Sequence, residues 1–181
     1  MKLFKRPLAS IIAATGLASV ALSPALASES DKRFFDSLSG QWSGPGEIVA
    51  GKYKGTKFVC NFAGSSPQDK VGMALDGGCR VGIFNQDMSA KIEKAASGYR
   101  GQFLDGAKGK GLDVVGGTVK GKNVVFAIHR NELTGAMRAK LSGKDTMTVT
   151  ISVHVNKELV PVIGMQLKRV DTKSVGAIAK Q

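Results

Sequence analysis

This chain is short of the residues that usually carry catalysis, and short of those that break a sheet. It has two histidines in 181 residues. A hydrolase pairs a nucleophile with a base that is most often histidine, and no such pairing stands out, so no catalytic residues are expected and the protein is not read as an enzyme. His154 falls on a wet strand face with Thr148, Thr150 and Ser152. His129 shares a face with Val125 and Ala127, opposite Val124, Phe126 and Ile128. A haem barrel needs an inward axial ligand, which His154 does not suit; His129 is ambiguous, and a lone strand histidine is usually structural or solvated. Two histidines and two cysteines do not make the usual zinc site once the cysteines pair, so no metal and no cofactor are expected. Gly109-Lys110-Gly111 and Gly116-Gly117 lack the spacing of a phosphate loop and the helix that follows one; they read as hairpin turns. No dense basic run with interleaved aromatics marks a nucleic-acid surface. Proline is scarce, with five residues against 23 glycines, which suits a turn-rich chain of many short elements.

No apolar run reaches the roughly 20 residues of a spanning helix. The shorter run from Leu8 to about Leu22 follows Lys2, Lys5 and Arg6 and ends in Pro24-Ala25-Leu26-Ala27. A charged start, a short apolar middle and small residues at −3 and −1 mark a secretory signal cleaved after Ala27. Removing its three basic residues takes the formal net charge from +12 to +9. Cys60 and Cys79 both lie in the mature part, and an exported protein with two cysteines is expected to join them. The bridge would close a loop of about 20 residues, worth roughly 3 kcal/mol.

The period of the pattern divides the mature chain. Ser30 to Leu38 has one helical stretch, with Ser30 or Asp31 as its cap and Phe34, Phe35 and Leu38 on one face. After Gly40 the period is two: Phe58-Cys60-Phe62, Met88-Ala90-Ile92, Tyr99-Gly101-Phe103, Met137-Ala139-Leu141 and Met147 to Val155 each alternate with polar neighbours. Such stretches bury one face of a strand. Asp76-Gly77-Gly78, Ala96-Ser97-Gly98, Asp105 to Gly109, Lys120 to Asn123, Ser142 to Asp145 and Asn156 to Glu158 read as the turns between them, too short for parallel crossovers. Strands are expected to begin near Gln41, Lys57, Val71, Cys79, Met88, Gly98, Leu112, Asn123, Gly135, Thr146 and Leu159, ten or eleven according to whether 71–83 is one strand or two. Closure removes exposed edges, so the expected fold is all-β, an antiparallel up-and-down barrel of about ten strands preceded by a short N-terminal helix. A two-sheet sandwich is the alternative. An outer-membrane barrel is disfavoured by Lys and Arg on the polar faces and by the few aromatics.

Leu38-Ser39-Gly40-Gln41-Trp42, a short helix and then Gly-x-Trp opening the first strand, resembles the start of calycins, the superfamily of lipocalins, fatty-acid-binding proteins and related barrels. The resemblance implies that Trp42 closes one barrel end and that a basic residue of the last strand lies across its ring. Arg169, on the face expected to hold Leu159, Ile163, Met165 and Leu167, is that residue. Gly44 and Gly46 would leave room beside the indole. The chain also resembles small periplasmic metalloprotease inhibitors, calycin-like barrels with a nearby cysteine pair that act through a free N-terminal arm.

The expected organisation is a signal peptide at 1–27, an N-terminal arm and short helix at 28–39, a calycin-like barrel at 40–170 and a flexible tail at 171–181. The leading functional expectation is a soluble, periplasmic, non-enzymatic barrel that binds a small apolar or amphipathic ligand such as an acyl chain. Phe58, Phe62, Met88, Ile92, Phe103, Phe126, Met137 and Met165 would line its interior. The same residues would serve equally as a solid core. The second expectation is a periplasmic interaction protein, inhibitor-like or an envelope-assembly factor, acting through its basic surface or segment 28–38. The scattered Lys and Arg also suit weak contact with anionic envelope lipid or polysaccharide.

Overall fold

A computed structural model of the chain describes residues 24–104 and 111–170. Residues 1–23 of the expected leader, the whole of the expected turn at 105–109 with Lys110, and the tail 171–181 lie outside the described residues. The order is α1 (Pro24–Asp36), then β1 (Gly40–Ile48), β2 (Lys57–Ser65), β3 (Gly72–Val81), β4 (Phe84–Ala95), β5 (Gly98–Leu104), β6 (Leu112–Lys120), β7 (Asn123–Arg130), β8 (Leu133–Ser142), β9 (Thr146–Val155) and β10 (Glu158–Arg169). Every strand pairs antiparallel with its neighbours in sequence, and β1 pairs with β10 to close a ten-stranded barrel. The expected architecture is the one found, and the sandwich is not.

Two-residue loops account for much of this meander. Asn131 and Asn156 take positive φ, 51° and 57°, at the tips of β7–β8 and β9–β10. Asparagine tolerates that region, and its twist matches that of the flanking strands. Alternation then does the rest. Val124, Phe126 and Ile128 of β7 are buried, as are Met147, Val149 and Ile151 of β9.

Five local expectations are corrected. Asp76-Gly77-Gly78 is not a turn but the middle of β3. A side chain at Gly77 would run into the Asn61 carbonyl and the Phe62 backbone, so the glycines there admit the neighbouring strand and do not reverse the chain. Hence 72–81 is a single strand, no strand starts at Cys79, and β4 begins at Phe84, ahead of Met88. Gly116-Gly117 is likewise inside β6, at a register shift between Val114 and Gly116, which is a β-bulge. A second shift, between Pro161 and Ile163, puts Leu159 opposite His154 on the outer wall and separates it from the inward Ile163, Met165 and Leu167. The helix begins at Pro24, a favoured first position for proline, so neither Ser30 nor Asp31 caps it. Gly44 and Gly46 lie nearest the Gln166 carbonyl and the Phe58 ring, so the first neighbours they make room for are these and not the indole.

Cleavage after Ala27 falls within α1 and would leave its anchoring half. Phe34, Phe35 and Leu38 are buried, and they hold the end of α1 against the barrel end formed by the starts of β1, β3, β5, β7 and β9.

Candidate functional site

The end of the barrel under α1 is sealed by polar groups on aromatic rings. Trp42 is 1% exposed, and its indole N–H donates to the Leu38 carbonyl at 2.8 Å. Arg169 pairs with Trp42 across β1 and β10, and its guanidinium lies 4.3 Å from the ring centroid, within cation–π range. The same guanidinium donates to the carbonyls of Ser39 at 2.5 Å, Ser37 at 2.7 Å and Lys144 at 3.2 Å. It therefore fastens the C-terminal end of α1, where carbonyls are left without helical partners, to the β8–β9 turn. The cover over Trp42 agrees with the expectation; the clamp on the helix end adds to it. Gly40 has φ +118°, and a Cβ there would stand 2.7 Å from an Arg169 nitrogen. Only glycine suits that turn.

Beside this seal lies a feature the sequence did not reveal. Asp31, buried on α1, accepts from the Tyr99 hydroxyl at 2.7 Å and from Lys94 at 2.8 Å. Burial, and after it the Asp31 carboxylate, pushes the Tyr99 phenol far above its usual value. Phe35, Tyr99 and Phe126 pack in a row with their rings steeply inclined to one another, centroids 5.3 and 5.8 Å apart. The alternating pattern put Tyr99 on the inner face, but nothing local pairs it with a carboxylate 68 positions away.

Below the seal the barrel encloses a cavity of about 90 Å³ lined wholly by apolar side chains. Six of the expected interior residues, Phe62, Met88, Phe103, Phe126, Met137 and Met165, are on its wall. Two are not. Ile92 is fully buried in the core without facing the cavity. Phe58, half-buried, packs nearer the end away from α1, over the space that Gly46 leaves. The wall also takes Met73 and Leu75, which the glycine-rich run of β3 concealed, and Met147, Val149 and Ile151, which the alternation showed as apolar without marking as lining. Five of the chain's six methionines thus face one space. Cys60 and Cys79 are bonded directly across β2 and β3 with Cα atoms 4.0 Å apart, as expected. Met88 Sδ lies 3.5 Å from Cys79 Sγ.

No protein-family model matches the chain. No curated protein matches it. The crystal structure of Rv2717c from M. tuberculosis aligns with it at TM-score 0.46 and 12% identity, over 83% of this chain and 100% of that one.

The wall offers no hydrogen bond to a ligand. His129 faces outward, opposite Asp113 and Thr134, and His154 outward, opposite Leu159. Among the described residues no three His, Cys, Asp or Glu side chains gather as a metal site. At the far end, Arg130 continues the inward parity of Phe126 and Ile128 and is half-buried, so a cation stands at the mouth above the apolar interior. Among the described residues no helix is long and apolar enough to cross a membrane.

Proposed function

We propose that the protein is an exported, periplasmic, non-enzymatic binding barrel whose interior receives a small apolar or amphipathic ligand such as an acyl chain. The observation that carries this reading is the collection of Met73, Met88, Met137, Met147 and Met165 around one apolar cavity. Methionine is unbranched and adaptable and specifies a packed core poorly. A barrel needing only a solid filling would be better served by Leu, Ile and Val. The cavity, about 90 Å³, is smaller than the roughly 300–1,000 Å³ of ordinary ligand pockets. A ligand therefore enters by swinging methionine side chains aside, at small rotamer cost. Its apolar part would lie among them, and an acidic head group would meet Arg130 at the mouth.

The calycin resemblance supports the same reading, since Gly40, Trp42 and Arg169 stand as it implied. An inhibitor of the free-arm type is less well supported. The segment that would form the arm carries Phe34, Phe35 and Leu38 into the core and ties Asp31 to β4 and β5.

The reading is tested by native mass spectrometry of the protein isolated gently from its host envelope. A chain beginning at Ser28 with a retained, organic-extractable mass of one acyl-bearing molecule is expected. An empty chain, whose mass stays the same after exposure to acyl ligands, would contradict it.

A further inference from the structure

The two ends of the barrel differ in what they expose. At the mouth, hairpin tips and strand ends present Tyr53, Ile83, Phe84, Leu133, Val155 and Leu159 to solvent. Among the described residues the sealed end exposes only Val170 as a large hydrophobic. Ile83 is 90% exposed and Phe84 75%. The turn that carries them does not require either. Gly82, at φ +58°, supplies the positive φ that a two-residue hairpin needs at its first position, and any polar residue would serve beside it. An Ile-Phe pair held out on such a tip is an exposed apolar feature without a folding role.

Lys52, Lys54, Lys57, Arg80 and Lys157 are exposed around the same mouth. With Arg130 they outnumber its acids among the described residues, Glu47, Asp113, Glu132 and Glu158. Lys52 also lies 5.5 Å over the Tyr53 ring, which pairs an aromatic of interfacial type with a cation. We propose that the mouth docks on the surface of an anionic lipid bilayer, with the Ile83-Phe84 tip inserted among the head groups and the basic residues against them. Separate apolar tips within a basic ring fit this occupant. A protein partner or a second copy would call for one continuous packed patch. Interfacial binding of this kind adds buried apolar area to attraction for anionic lipid. Docking stands on the rim alone and holds whether or not the interior takes a ligand. It would nonetheless bring the mouth of the barrel to a source of acyl chains.

The test is vesicle co-sedimentation of the full chain, as purified from its host, beside Ile83→Ser/Phe84→Ser in the same form. The vesicles are phosphatidylcholine with or without phosphatidylglycerol. The parent is expected to bind the anionic vesicles and the tip variant about tenfold more weakly or less. Both side chains are solvent-exposed, so the variant should keep its far-UV spectrum. Ile83→Trp should shift its emission to the blue on these vesicles, against a constant signal from the buried Trp42. Equal binding by the tip variant, or no binding by the parent, would overturn the proposal. So would loss of self-association, without loss of vesicle binding, in the tip variant, which would assign the tip to a second copy.

Discussion

At the scale of single residues, Arg169 and Tyr99 carry the seal. Arg169 stacks on Trp42 and donates to three backbone carbonyls, so its removal uncovers the ring and leaves those carbonyls without a partner. Arg169→Ala is expected to cost about 2–4 kcal/mol in urea unfolding, and Arg169→Lys to recover little, because a lysine cannot stack and reach several acceptors at once. A loss under about 0.5 kcal/mol, the ordinary range of surface substitutions, would contradict the clamp. Tyr99 makes a statement about pH. Its phenol holds its proton far more tightly in the fold than in the unfolded chain, where a tyrosine ionises near pH 10. The contribution to stability is therefore complete below about pH 10 and lost as pH rises above it. In a Tyr53→Phe background, phenolate absorbance should appear only together with alkaline unfolding. Its appearance near pH 10 with the fold intact would contradict the buried Asp31 contact. Arg169 could be found from the sequence because parity and a family pattern both point to it. Asp31 could not: its partners come from other elements, and on a helix it reads as a cap.

At the scale of elements, strands were legible where alternation is strict and obscured where glycine or a bulge interrupts it. β7 and β9 follow directly from Val124-Phe126-Ile128 and Met147 to Val153. β3 does not, because Gly72, Gly77 and Gly78 replace inward or outward side chains with backbone clearance. The bulge at Pro161–Ile163 shifts parity within β10, so Leu159 was assigned to the wrong face while Met165, Leu167 and Arg169 were assigned to the right one. The disulfide belongs to this scale, since it fixes β2 against the glycine-rich β3. Its cysteines are 19 positions apart, and reduction should remove about 3 kcal/mol. For a chain of this size that lowers Tm by about 6–12 °C. A calorimetric midpoint unmoved by reductant, with both thiols then alkylated, would show that the pairing of β2 and β3 does not depend on the bridge.

At the scale of the whole molecule, the barrel is capped by α1 at one end and lined inside by five methionines. The sequence disclosed the closure and six of the fifteen residues of the wall. It did not disclose how much space remains, because volume depends on how ten strands pack together and not on any one of them. The methionines give the most direct test of the central claim, that the interior opens to a ligand. Apart from Met1, every methionine lines the cavity, so a protein labelled with ¹³C at the methionine methyls reports from the site with only the Met1 signal besides. Titration with saturated fatty acids of increasing length should move the five methyl signals together, saturate at one molecule per chain and give contacts between methyl and ligand protons. Five sharp signals that do not move for any chain length would mean that the methionines fill a solid core and that the protein does not bind its ligand there.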